Sequence, residues 1–221
     1  AITKQHKVGM CFGNTINFNS TNTNERAVIK LKGTNWFRFD NLTVDASAGT
    51  FGFGFHLMND ADSNIIRNCN IIANATATTA DFAGIVISGS NTNAVGTGTT
   101  LCDFNVIENN VINGGFYGVT MAATFAGGAN GFNTIKRNSI QNFYQTGVYV
   151  AASYNTLIDS NNISRPTRAT VTDFNGIFFT AQSNTATISR NTIRNPFGGA
   201  LTSTSPFNGI VFNSASASSG N

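Results

Sequence analysis

The chain has 221 residues, of which 41% are hydrophobic and only 10% are charged, with 19 Phe and a formal net charge of +3. A disordered chain would be poor in aromatic residues and rich in charge, so this composition excludes disorder. The basic residues are scattered singly, without the basic stripe of a nucleic-acid-binding surface. No apolar run approaches the roughly 20 residues of a membrane helix. We therefore expect a folded protein with no nucleic-acid partner and no membrane span.

A six-residue motif, F-x-G-Φ-x-Φ in which Φ is apolar and the first residue varies, recurs along the chain. Its glycine stands at Gly54, Gly84, Gly118, Gly147, Gly176 and Gly209, at steps of 30, 34, 29, 29 and 33 residues. The period-2 alternation predicts a short β-strand whose two Φ side chains face the interior.

A second motif, I-x-x-N-x-I, lies between the copies of the first. It is found at Val106–Asn109–Val111, Ile135–Asn138–Ile140, Ile158–Asn161–Ile163 and Ile188–Asn191–Ile193, with substituted copies at Ile66–Cys69–Ile71 and Phe39–Leu42–Val44. Asn tolerates the backbone of a bend. We expect Asn109, Asn138, Asn161 and Asn191 to stack in one internal column, with each amide hydrogen-bonded to the next.

The strict alternation of the two motifs indicates a repeat protein. One repeat cannot bury its apolar face alone, whereas stacked repeats can. No window shows sustained helical spacing, which argues against βαβ units. Three short strands and three bends per repeat predict one coil of a parallel β-helix, with about seven coils in residues 27–213. Residues 1–26 form an entry segment or the N-terminal edge, and residues 214–221 form a Ser/Ala-rich tail.

The motifs resemble the right-handed parallel β-helix repeat family, the pectate-lyase-like superfamily, over about residues 27–213. The resemblance implies an all-β, single-stranded, right-handed solenoid. Residues 13–18 and 27–44 are similar in style to large exported surface proteins of Bacteroidetes-type bacteria, which implies an extracellular or cell-surface location. Because a solenoid needs capping and no cap follows Phe207–Phe212, we expect a fragment whose partners include flanking parts of its own parent chain.

Catalytic residues are not predicted. Enzymes of the resembled superfamily use clustered acids with calcium and a Lys or Arg base, or paired acids. Aligning the repeats on the ladder residue places Asp40 and Asp159 in one column, with Arg67, Ile107 and Lys136 between them, and no two acids in adjacent coils of any column. The Asp-Asp, Gly-His-Gly and Arg-x-Lys signatures of polygalacturonases are missing.

Asp60, Asp62 and Asn64 form the one closely spaced acidic pattern. It resembles the start of a calcium-binding loop but lacks the following Gly and the distal Glu of that loop. A solvated turn explains it equally well. Calcium at these three residues is the one cofactor that the sequence suggests.

The residue between the two Φ positions points outward. That column reads His56, Val86, Thr120, Tyr149, Phe178 and Val211, which is apolar for a solvated face. Three explanations stay open: a covering segment such as Asn74–Asp81 or Asn91–Cys102, β-propensity alone, or a docking face for sugar rings or another surface protein. His56, expected to be exposed, Tyr149 and Phe178 are the candidate ligand-binding residues.

The three cysteines, Cys11, Cys69 and Cys102, form no metal or redox motif. Cys69 is expected to be a small buried apolar residue. A disulfide between Cys11 and Cys102 is left open.

These observations favour a non-catalytic extracellular β-helix module, adhesin-like or a spacer, with polysaccharide as one candidate ligand. The alternative is a polysaccharide lyase or glycoside hydrolase whose site lies on long loops or on coils outside this chain. A third hypothesis is a structural filament segment without a ligand.

Overall fold

The computed structural model describes residues 6–8, 14–200 and 202–213, with the side chains of 6–8 and 126–127 left aside. In this part the chain winds as a β-solenoid of about seven coils, each with three strands separated by bends. Every strand of a coil pairs in parallel with the equivalent strand of the next coil. The predicted all-β parallel solenoid is confirmed.

Three sheets run along the solenoid. The first sheet contains β1 (His6–Val8), β4 (Phe37–Asp40), β7 (Ile65–Arg67), β10 (Val106–Glu108), β14 (Thr134–Lys136), β17 (Leu157–Asp159) and β20 (Thr187–Ser189). The second sheet contains β2 (Thr15–Asn17), β5 (Thr43–Ala46), β8 (Asn70–Ala73), β11 (Val111–Asn113), β15 (Ser139–Gln141), β18 (Asn162–Ser164) and β21 (Thr192–Arg194). The long sheet contains β3 (Ala27–Lys32), β6 (Gly52–Met58), β9 (Phe82–Ile87), β12 (Tyr117–Ala122), β16 (Thr146–Tyr154), β19 (Phe174–Asn184) and β22 (Phe207–Asn213). A two-residue strand, β13 (Asn130–Gly131), pairs with β16, and α1 (Phe125–Gly128) is a single turn.

The glycine of the first motif is required by close packing of the long sheet against the second sheet. A Cβ added at Gly118 would collide with the side chain of Ile140 and would lie 2.6 Å from the carbonyl oxygen of Gly147. The apolar positions that follow the glycines are in register, since Val119 pairs with Ile85 on one side and Val148 on the other. One continuous apolar core therefore fills the solenoid.

The predicted asparagine ladder exists, but the prediction was wrong by one residue in one coil. Asn110, not Asn109, is buried and aligned with Asn138, because Ile107 pairs with Ile135 and Ile112 with Ile140. The ladder runs through Asn110, Asn138, Asn161 and Asn191, each carboxamide accepting from the previous residue at 2.9–3.0 Å. Asn109 is the exposed bend residue beside it, with φ 55°.

A second ladder, which the sequence motifs did not predict, lies at the bend before the first sheet. Asn64, Asn105 and Asn133 are buried there. The Oδ1 of Asn105 accepts the backbone and side-chain N–H groups of Asn64 at 3.0 and 3.2 Å, and the Oδ1 of Asn133 accepts the amide of Asn105 at 2.9 Å. The two ladders satisfy backbone donors at two of the bends, where the sheet hydrogen bonds are interrupted.

The ends of the chain are described only in part. Strands β1 and β2 pair with β4 and β5, so residues before 27 already contribute an N-terminal edge. The predicted tail, residues 214–221, lies outside the described residues. Among the described residues, no helix has both the length and the apolar character needed to cross a membrane.

Two of the three cysteines are buried thiols. Cys69 packs in the core, as expected, and burial raises its pKa to about 11. Burial raises the pKa of Cys102 to about 12. The suggested partner of Cys102, Cys11, lies outside the described residues, so that pairing stays a prediction.

Candidate functional site

The outward column of the long sheet is covered over its first half. His56 is only 1% exposed, and its Nε2 lies 2.9 Å from the carbonyl oxygen of Ser88. Thr120 donates from its hydroxyl to the carbonyl oxygen of buried Ala94 at 2.7 Å. The segment around Ala94 therefore folds over this face, which is the covering explanation predicted for Asn91–Cys102.

The expectation that His56 is exposed was therefore wrong. Burial lowers its pKa to about 4, so the ring is neutral at physiological pH. A buried, neutral imidazole bonded to a main-chain carbonyl is a structural group. It is withdrawn as a ligand-binding candidate.

The other two candidates of that column remain partly exposed. Tyr149 and Phe178 stack with their ring centroids 5.7 Å apart and their planes 20° apart. With Gln145, Thr146 and Asn175 they line a shallow cavity of about 200 Å³. This cavity is a secondary candidate, and its use by a ligand stays a prediction.

The calcium pattern is broken by the fold. The side chain of Asn64 belongs to the second ladder: it donates to the carbonyl oxygen of Thr34 and accepts the amide of Phe37, both at 2.9 Å. It is therefore unable to share a cation with Asp60 and Asp62. Across the described residues, no cluster of three or more His, Cys, Asp or Glu side chains is placed to hold a metal. Calcium at Asp60 and Asp62 alone stays a prediction.

The exterior column that contains Asp40 and Asp159 alternates in charge. It reads Asp40, Arg67, Glu108, Lys136 and Asp159 from coil to coil. The predicted column contained Ile107 in place of Glu108, which is the same one-residue error as in the asparagine ladder. Asp40 pairs with Arg67 at 2.9 Å, and Glu108 pairs with Lys136 at 3.2 Å. These carboxylates are committed to ion pairs between coils.

Two buried arginines near residue 165 were also missed by the sequence analysis. Each donates three hydrogen bonds to main-chain carbonyl oxygens: Arg165 to Pro196, Tyr144 and Thr172, and Arg168 to Thr170, Asn142 and Ala77. Burial lowers the pKa of Arg165 to about 10. Although Arg168 borders a cavity of about 230 Å³, the two guanidinium groups hold the loop between β18 and β19 in place.

A cluster of exposed aromatic residues lies at the bend before the first sheet, a feature we call the corner column. It is formed, coil by coil, by Trp36, Ser63, Phe104 and Phe132. The three rings are 44%, 53% and 43% exposed, and all four residues have φ between 55° and 67°. Gly and Asn adopt this backbone at lower cost, and an exposed ring gains little from burial, so stability alone does not explain aromatic residues here.

The rings of the corner column are ordered against one another. Phe104 and Phe132 stack with centroids 4.7 Å apart and planes within 1°. Tyr154 meets Phe132 edge-on at 5.3 Å. Between Trp36 and Phe104 the column is interrupted by Ser63, and an open cleft of about 490 Å³ lies there, with Ile65 and Val106 also in its lining.

Two carboxylates border this corner. Asp62 and Asp103 immediately precede Ser63 and Phe104, and they occupy one column in adjacent coils, contrary to the prediction that no acids do. The Oδ1 of Asp62 accepts the amide of Asp103 at 2.8 Å, and the Oδ2 of Asp103 accepts the hydroxyl of Tyr154 at 3.2 Å. Burial raises the pKa of Asp62. The corner thus combines flat apolar rings with acceptor oxygens.

Sequence reasoning found the Tyr149–Phe178 pair but not the corner column. The signal available was the set of single aromatic residues just before a first-sheet strand. Each residue of the column is followed in the chain by a residue of the second ladder or its neighbour. The successive spacings of these residues are 27, 41 and 28, for Phe37, Asn64, Asn105 and Asn133. Such unequal spacing hides the alignment in the sequence.

Comparison with known proteins identifies the fold. A family model described as "Right handed beta helix region" matches residues 83–221, more than half of the chain. The predicted right-handed β-helix is therefore confirmed. No curated protein matches the sequence.

Two solved structures are similar at low identity. The Dettilon tailspike protein shares 14% identity with a TM-score of 0.39, over 89% of this chain and 55% of that chain. PfbA, a surface adhesin of Streptococcus pneumoniae, shares 11% identity with a TM-score of 0.34, over 97% of this chain and 67% of that chain. The chain spans about half the length of the tailspike protein, and likenesses of this degree concern the fold alone.

Proposed function

The chain belongs to the right-handed β-helix family, and we propose that it is a non-catalytic extracellular binding module, adhesin-like, that docks polysaccharide on its corner column. The observation that carries the proposal is the exposure of Trp36, Phe104 and Phe132 in one column beside an open cleft. Exposed apolar patches on folded proteins mark interaction sites.

Polysaccharide is the ligand that suits this surface. A pyranose ring has apolar C–H faces and a rim of hydroxyl groups, so it can stack on an aromatic ring while its hydroxyls bond to polar neighbours. The corner column supplies rings in register along the coil stack, and Asp62 and Asp103 supply acceptors beside them. A sugar ring in the cleft can therefore meet an aromatic face while its hydroxyls reach these acceptors.

The rival proposal is a glycoside hydrolase, and the Asp62–Asp103 pair is the observation that favours it. Carboxyl groups about 5 Å apart are typical of retaining glycosidases, and adjacent coils lie about 4.8 Å apart. Both oxygens of Asp103 accept hydrogen bonds, from the amide of Gly131 and from Tyr154, while Asp62 holds the amide of Asp103. This commitment to holding the corner supports binding over catalysis.

Affinity electrophoresis in gels that contain hydroxyethylcellulose, mannan, chitosan or polygalacturonate tests the proposal, with parallel assays for reducing ends and for ultraviolet-absorbing products. We expect retardation by at least one polysaccharide with no product. Trp36→Ala should weaken binding by about tenfold or more, since truncating an aromatic anchor costs about 2 kcal/mol. Phe18→Ala, which removes a ring that is 42% exposed elsewhere, should leave binding unchanged.

The outcomes separate the hypotheses. Product release that Asp62→Asn abolishes would establish the hydrolase instead. Absence of retardation in every gel would leave the filament hypothesis. Equal losses for Trp36→Ala and Phe18→Ala would show that the corner column is not the docking surface.

A further inference from the structure

We propose that the interruption of the corner column at Ser63 is a slot for one hexopyranose ring that is uncharged or carries an amino group. The inference rests on the proposed function and names the sugar class that the same corner selects. Its basis is the cleft between Trp36 and Phe104, in which the lining residues Ser63 and Phe104 directly follow Asp62 and Asp103, two acids of adjacent coils.

The size of the slot follows from the coil spacing. Trp36 and Phe104 are two coils apart, which is about 9.6 Å at a strand separation of about 4.8 Å. A flat ring placed at the level of Ser63 would lie about 4.8 Å from each neighbour. That is the separation at which Phe104 and Phe132 stack, 4.7 Å. The slot therefore accepts one six-membered ring between two aromatic walls.

The floor of the slot favours a sugar ring that enters on its edge. Ile65 and Val106, adjacent in the first sheet, form an apolar base. Ser63, which carries a hydroxyl group, lines the cleft between the two aromatic residues. The apolar faces of a pyranose ring match the aromatic walls and the apolar floor of the slot. The hydroxyl groups on its rim match the polar groups at the border of the slot.

Charge complementarity sets the class of sugar. No ion pair of the described residues includes Asp62 or Asp103. The cation beside the floor, Arg38, is adjacent to Ile65 in the first sheet and is paired with Asp40 at 2.9 Å, so it does not neutralise these two carboxylates. Within the same residues no donor reaches the Oδ2 of Asp62, which leaves it to accept a ligand hydroxyl or ammonium group. A uronate carboxylate would be repelled here. The corner is thus unsuited to the acidic polymers that pectate-lyase-like enzymes cleave.

Ser63→Phe is the decisive variant because it fills the slot and completes the aromatic column. Phe is compatible with the backbone at this position, since Phe104 and Phe132 occupy the same column at φ 57° and 55°, and Ser63 has φ 55°. Ser63→Gly is the matched control, because glycine adopts this φ and keeps the slot open. A thermal melt that matches the wild type would establish that each variant is folded.

Isothermal titration of wild type and variants with cellohexaose, chitosan hexamer and hexagalacturonate gives the readout. We expect wild type and Ser63→Gly to bind cellohexaose or chitosan hexamer alike, and Ser63→Phe to bind at least tenfold more weakly. Hexagalacturonate should bind at least tenfold more weakly than the better of these two ligands. Asp62→Asn should reduce that preference severalfold.

The results distinguish the slot from the broader proposal. If Ser63→Phe binds as well as wild type or better, the continuous column is the docking surface and the slot is refuted, while the proposed function stands. Hexagalacturonate binding as tight as that of cellohexaose would refute the charge selection. If wild type binds none of the hexamers and none of the polysaccharides, both proposals fail.

Discussion

Replacing one residue of the first asparagine ladder, Asn138→Leu, should destabilise the fold strongly. Asn138 is 2% exposed and uses both ends of its carboxamide. Its Oδ1 accepts the backbone and side-chain N–H groups of Asn110, each at 3.0 Å. Its Nδ2 donates to the carbonyl oxygen of Ile107 at 2.9 Å and to Asn161 at 3.0 Å. Leucine has similar volume but can make none of these bonds.

The magnitude follows from the groups that lose their partners. The backbone N–H of Asn110 would be buried without an acceptor, which costs about 1–3 kcal/mol. The loss of the remaining carboxamide bonds adds about 1 kcal/mol. We therefore expect Asn138→Leu to lower the free energy of unfolding by about 2–4 kcal/mol.

Urea unfolding monitored by circular dichroism measures this change. Asn109→Gly is the matched control, because Asn109 is an exposed bend residue with φ 55° that glycine adopts. We expect the control to shift the free energy of unfolding by less than about 0.5 kcal/mol. A shift for Asn138→Leu as small as that of Asn109→Gly would refute the structural role of the ladder.

Three further predictions concern stability and reactivity. Burial lowers the pKa of His56 to about 4. As the pH falls, the unfolded chain therefore binds a proton at this histidine before the folded protein does. The free energy of unfolding should be at its full value above about pH 6.5 and should be about 3 kcal/mol lower at pH 4. Urea unfolding across this range should show that loss relative to His56→Gln, and parallel pH profiles of the two proteins would contradict it. Gly118→Ala should lower the free energy of unfolding by about 3 kcal/mol, because its Cβ would clash with Ile140 and Gly147. Gly98→Ala, whose Cβ would meet open space, should melt at the same temperature as the wild type. Equal melting temperatures for the two variants would refute the packing argument. Cys69 and Cys102, with pKa values raised to about 11 and about 12, should resist dithionitrobenzoate until urea unfolds the chain, and rapid labelling of either thiol in the native protein would contradict their burial.

The sequence identified the fold because every coil repeats the same local chemistry. Alternating apolar residues after a glycine define a strand with one inward face, and an Asn at a bend defines a ladder position. The pairing of Val119 with Ile85 and Val148 was therefore readable from the motif alone. The one-residue error at Asn109 arose because each position of the motif is occupied by two consecutive similar residues in this coil. Val106 or Ile107, Asn109 or Asn110, and Val111 or Ile112 fit the motif equally well, in registers that differ by one residue.

The sequence by itself determined the stacking of coils, the inward residues and the scarcity of charge, since these depend on patterns within a single repeat. Only the tertiary structure decided which outward residues meet water, as inter-coil segments differ in length and fold back over the surface. His56 is buried and contacts the carbonyl oxygen of Ser88, which follows β9, although the strand pattern points that side chain outward. Trp36, Phe104 and Phe132 lie in one exposed column although unequal segments separate them along the chain. A strand pattern specifies the direction of a side chain, whereas burial depends on distant residues that reach the same place in space.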